Sequence, residues 1–152
     1  MITPKKSLGQ HFLINPRILD KIMAAAEIEE KDTVLEIGPG TGNLTERLVE
    51  KAGRVIAIEK DRRLIEVLKE KFKNEKVEII EGDILRFKID ELGIKNYKIV
   101  ANIPYYITSN LLRTIFERWP RPKLIVLTLQ KEVAQRIIAK PPKMNILAVS
   151  VQ

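Results

Sequence analysis

Apolar positions change period along this chain, and each change marks an element. After Asn15-Pro16, an N-cap with proline at the first helical position, Ile18, Leu19, Ile22, Met23 and Ala26 recur at the spacing of one helix face. Thr33–Ile37 is a short β-branched run ending at Gly38, which reads as a strand. Leu44, Leu48 and Ala52 return to helical spacing, and Arg54–Glu59 predicts the next strand. Asp61 is a natural cap for a helix carrying Leu64, Ile65, Leu68 and Phe72, followed by strands at Val77–Ile80 and Tyr97–Ala101. Thr108 or Ser109 can cap a helix with Leu111, Leu112, Ile115, Phe116 and Trp119. Leu124–Leu129 is the most apolar strand, which points to a central place in the sheet. A short helix with Val133, Ala134, Ile137 and Ile138 precedes a last strand, Ile146–Val151.

Strands alternating with helices imply parallel strands joined by right-handed crossovers, so the expected fold is a Rossmann-like α/β sandwich with a mostly parallel sheet. Such sheets bind ligands beyond the carboxyl ends of their strands, at the point where strand order reverses. The chemistry is therefore sought in the residues that follow each strand.

Composition narrows the chemistry. A chain of 152 residues, 45% apolar and 31% charged, suits one globular domain. Cysteine is absent, which excludes disulfides, thiolate catalysis and thiolate metal sites, and one histidine, His11, leaves no His-rich metal centre, so no metal is expected. The longest apolar run, Ile22–Ala26, is far short of the roughly 18 residues of a membrane span. Residues 1–6 lack the apolar stretch of a secretory signal, so a cytoplasmic location is expected. The net charge of +7 is unevenly placed: +3 over residues 1–21, −2 over 22–112 and +6 over 113–152. Basic ends fit a polyanionic partner, since each neutralised phosphate releases counterions, but solvated lysine-rich helix faces give the same excess. Charge alone leaves both open.

Glu36-Ile-Gly38-Pro-Gly40-Thr-Gly42 joins the first strand to a helix. Glycines there permit positive φ and close ligand approach, and the helix start offers unpaired N–H groups. The dinucleotide fingerprint would place its third glycine at 43, which is Asn43. A carboxylate at Glu36 would repel phosphates, but it suits backbone amides or a cationic amino-acid group. Glu59 ends the second strand, where an acid can accept both hydroxyls of a ribose. Asp83, after the third, can accept from an adenine amino group or simply form a turn. Each acid alone has a plain structural reading as a cap or a solvated charge; with the loop they outline an adenosine-shaped site.

The fourth strand runs into Asn102-Ile103-Pro104-Tyr105. Methylating an exocyclic amine requires localising a lone pair that is delocalised into the ring. Two acceptors, one per N–H, do this: the Asn102 side-chain oxygen and a backbone carbonyl near Ile103. Pro104 stiffens the turn, and Tyr105 offers a ring to stack on a base. No general base is needed before attack, which suits a chain poor in histidine and cysteine.

With these residues assembled, the chain resembles the rRNA adenine N6,N6-dimethyltransferases, the small-subunit enzymes of the kasugamycin-resistance type and their macrolide-resistance relatives. The resemblance rests on Leu8-Gly-Gln-His-Phe-Leu13, Glu36–Gly42, Glu59-Lys-Asp61, Glu81-Gly-Asp83, Asn102–Tyr105 and Gln130–Arg136, the last favouring the small-subunit branch. It implies a class I methyltransferase fold, S-adenosyl-L-methionine as donor with S-adenosyl-L-homocysteine as product, and two adjacent adenines near the 3′ end of small-subunit rRNA, on a 30S-type particle, as substrate. It implies donor-binding roles for His11, Leu13, Gly38, Gly40, Glu59, Asp83 and Asn102, and target-base roles for Phe12 and Tyr105. The family continues past Gln152 into a further strand and a helical domain. Residues 1–30 and 31–152 are thus expected to form an N-terminal segment and the core of a truncated catalytic domain. Ile146–Val151 would then be poorly placed, re-paired or exchanged between chains. Three other functions compete: a non-catalytic RNA-binding or ribosome-assembly module that retains donor binding, a macrolide-resistance-type large-subunit rRNA adenine methyltransferase, and an NAD-dependent oxidoreductase, which Asn43 and Asn102–Tyr105 disfavour.

Overall fold

The computed structural model describes residues 12–73, 75–144 and 146. Five parallel strands form one sheet: β1 (Thr33–Ile37), β2 (Arg54–Glu59), β3 (Val77–Glu81), β4 (Tyr97–Asn102) and β5 (Leu124–Thr128), in the spatial order β3-β2-β1-β4-β5. Order reverses between β1 and β4, so the switch point lies at the glycine loop. Helices α1 (Pro16–Ala26), α2 (Asn43–Lys51), α3 (Arg62–Lys71), α4 (Thr108–Arg118) and α5 (Lys131–Ile137) make the crossovers and flanks.

Local chemistry explains the starts. Asn15 caps α1 by accepting from the Arg17 N–H, with Pro16 in the first turn. Asp61 caps α3 in the same way through the Arg63 N–H. α4 differs from the expected side-chain cap. A 3₁₀ turn at Tyr105–Ile107 runs straight into the helix, so the residue before it is already helical and Thr108 is buried.

Strand alternation sorts the core into two layers. Leu35 and Ile37 of β1 join Ile56, Ile58, Ile99 and Ala101 on the face packed by Leu111 and Ile115 of α4. Val34, Val55 and Val100 face Leu19, Ile22, Met23 and Ala26 of α1 and Leu44 and Leu48 of α2. Period two therefore places Glu36 on the α2 side, at the carboxyl end of the central strand.

β5 is not central: with β3 it is one of the two edge strands among the described residues, and all five of its residues are half-buried. Its apolarity reflects cover on both faces, from α1 on one and from Ile125, Leu127 and Leu129 packing into the α4 layer on the other. Hydrophobicity records the covering of a strand's faces, not its rank in the sheet. The expected strand at 146–151 lies outside the described residues except for Ile146, which is helical and exposed. No helix among the described residues is long and apolar enough to cross a membrane.

Candidate active site

Because all five strands run the same way, the segments that follow β1 to β4 gather on one rim. They line a cavity of about 1100 Å³, part of it open to solvent.

The glycine loop has φ values of +67° at Gly38, +60° at Gly40 and +83° at Gly42. A Cβ on Gly38 would meet nothing within 4 Å, so the space above it is open to the cavity it lines. One on Gly40 would come within 3.2 Å of the Phe12 ring, and one on Gly42 within 2.7 Å of the Phe72 ring. The loop is thus sandwiched by two aromatic rings and open at its first glycine. Lys71 adds a tether, donating to the Thr41 carbonyl at 3.0 Å while pairing with Glu46 at 2.9 Å.

Glu59 is buried and lines the cavity. Its Oε1 accepts from the N–H groups of Lys60 and Asp61, each at 2.9 Å, and its Oε2 from Gly40 at 3.1 Å. Three of a carboxylate's roughly four acceptor sites are thereby filled by backbone. Glu59 therefore ties β2 to the glycine loop and keeps one acceptor site for the cavity. Burial raises its pKa, against the lowering effect of those N–H bonds.

Asp83 stands at the β3 end of the same cavity, with Oδ1 accepting from the Leu85 N–H at 3.1 Å and Oδ2 paired with Lys60 at 2.9 Å. Burial would raise its pKa, but the Lys60 ammonium and the Leu85 N–H outweigh it and hold the carboxyl below its ordinary value. It is an ionised acceptor at neutral pH.

Glu36 is 1% exposed and also lines the cavity. Its Oε2 accepts from the buried Thr45 hydroxyl at 2.7 Å. Burial pushes its carboxyl up to about 8; the Thr45 hydrogen bond opposes this and the neighbouring charge of Glu59 adds to it.

Asn102, Ile103 and Pro104 follow β4 on the other side of the switch point and line the cavity. Tyr105 and Tyr106 meet edge-to-face, 6.1 Å between centroids at 87°. The 3₁₀ turn sets Tyr106, 49% exposed, against the cavity wall and leaves Tyr105, 56% exposed, off it. Phe12 and Leu13 line the opposite mouth, and the Leu13 carbonyl accepts from the Asn43 side chain at 2.9 Å. His11 lies outside the described residues. Lys60 and Tyr106 were missed from sequence: nothing in the string tells which of two adjacent tyrosines a 3₁₀ turn points inward. Asn43, read only as a missing third glycine, has the positive task of holding Leu13. Among the described residues no group of three His, Cys, Asp or Glu could hold a metal ion.

A parallel sheet with a glycine loop after β1, acids at the ends of β2 and β3, and a cavity spanning the switch point is a doubly wound nucleotide-binding architecture, and the structures it matches make it the class I methyltransferase fold. Two solved structures share it closely. A dimethyladenosine transferase from Plasmodium falciparum is 39% identical with a TM-score of 0.81, over 93% of this chain and 52% of that one. The 23S rRNA methyltransferase ErmE is 31% identical with a TM-score of 0.75, over 83% and 50%. An RNA methyltransferase from Salinibacter ruber, solved with S-adenosyl-L-homocysteine, shares the fold at 20% identity and a TM-score of 0.58, over 77% and 72%.

The family model for ribosomal RNA adenine dimethylase matches residues 1–152, and the chain belongs to that family. Among curated relatives, ribosomal RNA small subunit methyltransferase A of Dehalococcoides mccartyi is 48% identical over 151 residues, 97% of this chain and 52% of the relative. A probable ribosomal RNA small subunit methyltransferase A of Methanococcoides burtonii is 49% identical over 143 residues, 93% and 51%. The chain spans about half the length of these relatives.

Proposed function

We propose that this chain is the donor-binding, catalytic part of an enzyme that methylates N6 of two adjacent adenines near the 3′ end of small-subunit rRNA, taking the methyl group from S-adenosyl-L-methionine. One observation carries the reading: the glycine loop, Glu59, Asp83 and Asn102–Pro104, far apart in sequence, line one cavity across the switch point. The relatives' names supply the substrate class.

The residues present fit the donor. Gly38, with open space above its backbone, admits the methionine end beside Glu36, which suits an ammonium group. Asp83 is an ionised acceptor for the adenine amine, and Glu59 offers its remaining acceptor site to the ribose. Leu13 and Phe12 close the mouth; a donor-binding role for His11 rests on the family pattern alone. When bound, the donor supplies an electrophilic methyl group on a sulfonium.

What the chain must do is hold the target amine. The Asn102 side-chain oxygen and the carbonyl of Ile103 or Pro104 accept its two N–H bonds, which localises the nitrogen lone pair toward the donor. Positive charge develops on the nitrogen and its proton is then readily lost, so no side chain has to remove one first. Catalysis is positioning and electrostatics. Extruding a base costs a few kcal/mol and stacking on an aromatic ring returns roughly 1–3. The exposed Tyr105 ring is available to a base arriving from outside, with Phe12 and Tyr106 on the walls.

Labelled donor and unmodified small ribosomal subunits test this, using this chain beside a version extended at its C-terminus. The Asn102→Ala variant should lose methylation by roughly 10²–10³-fold or more while binding S-adenosyl-L-homocysteine within a few-fold of wild type. Undiminished turnover in that variant would remove Asn102 from the mechanism.

A further inference from the structure

The glycine loop absorbs the attention in this site, yet the most deeply buried polar contact beside it belongs to another element. Thr45, fully buried in the first turn of α2, donates its hydroxyl to Glu36 Oε2 at 2.7 Å. Glu36 is itself 1% exposed, and among the described residues its other oxygen takes no hydrogen bond, yet it is not sealed off. A buried carboxylate with one oxygen held and the other open to a cavity is a half-built site for a cation.

The surroundings make the cation specific. β2 presents Glu59, a second acid; β4 presents the neutral Asn102; α2 adds the neutral Asn43 and Leu44 at the cavity and the Thr45 hydroxyl on Glu36. The other charged groups lining the cavity, Lys60 and Asp83, are paired with each other at 2.9 Å. Among the described residues no protein cation therefore answers Glu36, and burying an unpaired carboxylate is costly, so it holds a proton until a positive group arrives.

We propose that Thr45 is a positioning residue for the amino-acid end of the donor: its hydroxyl fixes the Glu36 carboxyl so that the free oxygen meets an incoming ammonium group. This rests on the donor assignment above and adds to it a residue outside the glycine loop. Glu36 gives up its proton as the ammonium binds, so binding releases a proton near neutral pH. Among the described residues Thr45 is the one hydrogen-bond donor that stabilises the resulting carboxylate from the protein side. Without it, ionisation of Glu36 is harder, and only ligands carrying the ammonium group should register the loss.

Calorimetric titration tests this with two probes, S-adenosyl-L-homocysteine and 5′-methylthioadenosine, which lacks the amino-acid end. Wild type should bind S-adenosyl-L-homocysteine more tightly as pH rises from 6 to 8, with proton release, and 5′-methylthioadenosine with little pH dependence. In Thr45→Val, S-adenosyl-L-homocysteine should weaken about tenfold at pH 7, the worth of a hydrogen bond to a charged group. Its pH profile should move upward while 5′-methylthioadenosine is unaffected; Thr45→Ser should restore both. In a Glu36→Gln background the Thr45→Val effect should vanish. Should Thr45→Val fail to fold, Thr45→Cys, with its weak S–H donor, is read the same way. Equal weakening of both probes, or an unmoved pH profile, would overturn the role of Thr45 and leave the donor assignment standing. Failure of wild type to bind either probe would overturn the donor assignment and this inference with it.

Discussion

Replacing Glu36 by Gln should change the pH dependence of stability more than any other single substitution in the site. The carboxyl is raised from 4.5 to about 8, chiefly by burial, so the folded chain keeps a proton that the unfolded chain has released. Its contribution is fully present below about pH 4.5 and is lost as pH climbs toward 8. One pH unit inside that window is worth about 1.4 kcal/mol. From pH 5 to pH 7 the wild-type chain should therefore lose about 3 kcal/mol, or roughly 6–12 °C in Tm for a domain of this size. Glutamine keeps an acceptor for the Thr45 hydroxyl and carries no charge, so the Glu36→Gln curve should be flatter over that range. Glu59, also raised by burial, adds a slope of the same sign to both proteins and cancels in their difference. Asp83 and Asp32 are lowered, so their losses fall near pH 4 and below, outside the window. Thermal melts by circular dichroism at half-unit pH steps measure the difference. Parallel curves for the two proteins would show that Glu36 is ionised in the folded state, and the argument from burial would be wrong.

Two further substitutions probe the frame. Gly42→Ala faces both a φ of +83° and the Phe72 ring at 2.7 Å. It should lose about 2–4 kcal/mol in denaturant titrations, the backbone conformation accounting for roughly 1–2 of that. Gly38→Ala has only the backbone cost, and should instead weaken S-adenosyl-L-homocysteine, because its methyl group enters the cavity. At the far end of the sheet, Lys98 pairs with the buried Asp32 at 2.8 Å and donates to the Ala26 and Glu27 carbonyls at the end of α1. Burial would raise the Asp32 carboxyl, but Lys98 and the Glu29 N–H more than offset it and keep it low. Lys98→Met strands that carboxylate and should cost about 3–5 kcal/mol at pH 7. The difference should shrink as pH falls below about 4, where Asp32 takes up a proton. A deficit unchanged at acid pH would mean that the lost α1 contacts, not the charge, were responsible.

Much of this molecule could be read from its string. Periodicity located all five described strands to within a residue at either end, and Asn15-Pro16 and Asp61 marked two helix starts, because caps and alternation are governed by neighbours in sequence. The residues that chemistry singled out after β1 to β4 were also legible, since a parallel sheet sends every carboxyl end to one rim. What the string did not hold was decided at longer range. β5 is apolar on both faces yet at an edge, because order in a sheet is set by which strands pair, not by how greasy each is. Sequence marked Glu59 as an acid at the end of a strand, but only folding brings the N–H of Gly40, nineteen residues away, onto one of its oxygens. Tyr106 rather than Tyr105 lines the cavity because a 3₁₀ turn, invisible in composition, aims it there. Glu36 became a poised acid only when α2 laid Thr45 over it and the core shut out water. Sequence specified which groups the rim carries; burial and the partners supplied by distant segments decided which are charged, which are held and which remain open to a ligand.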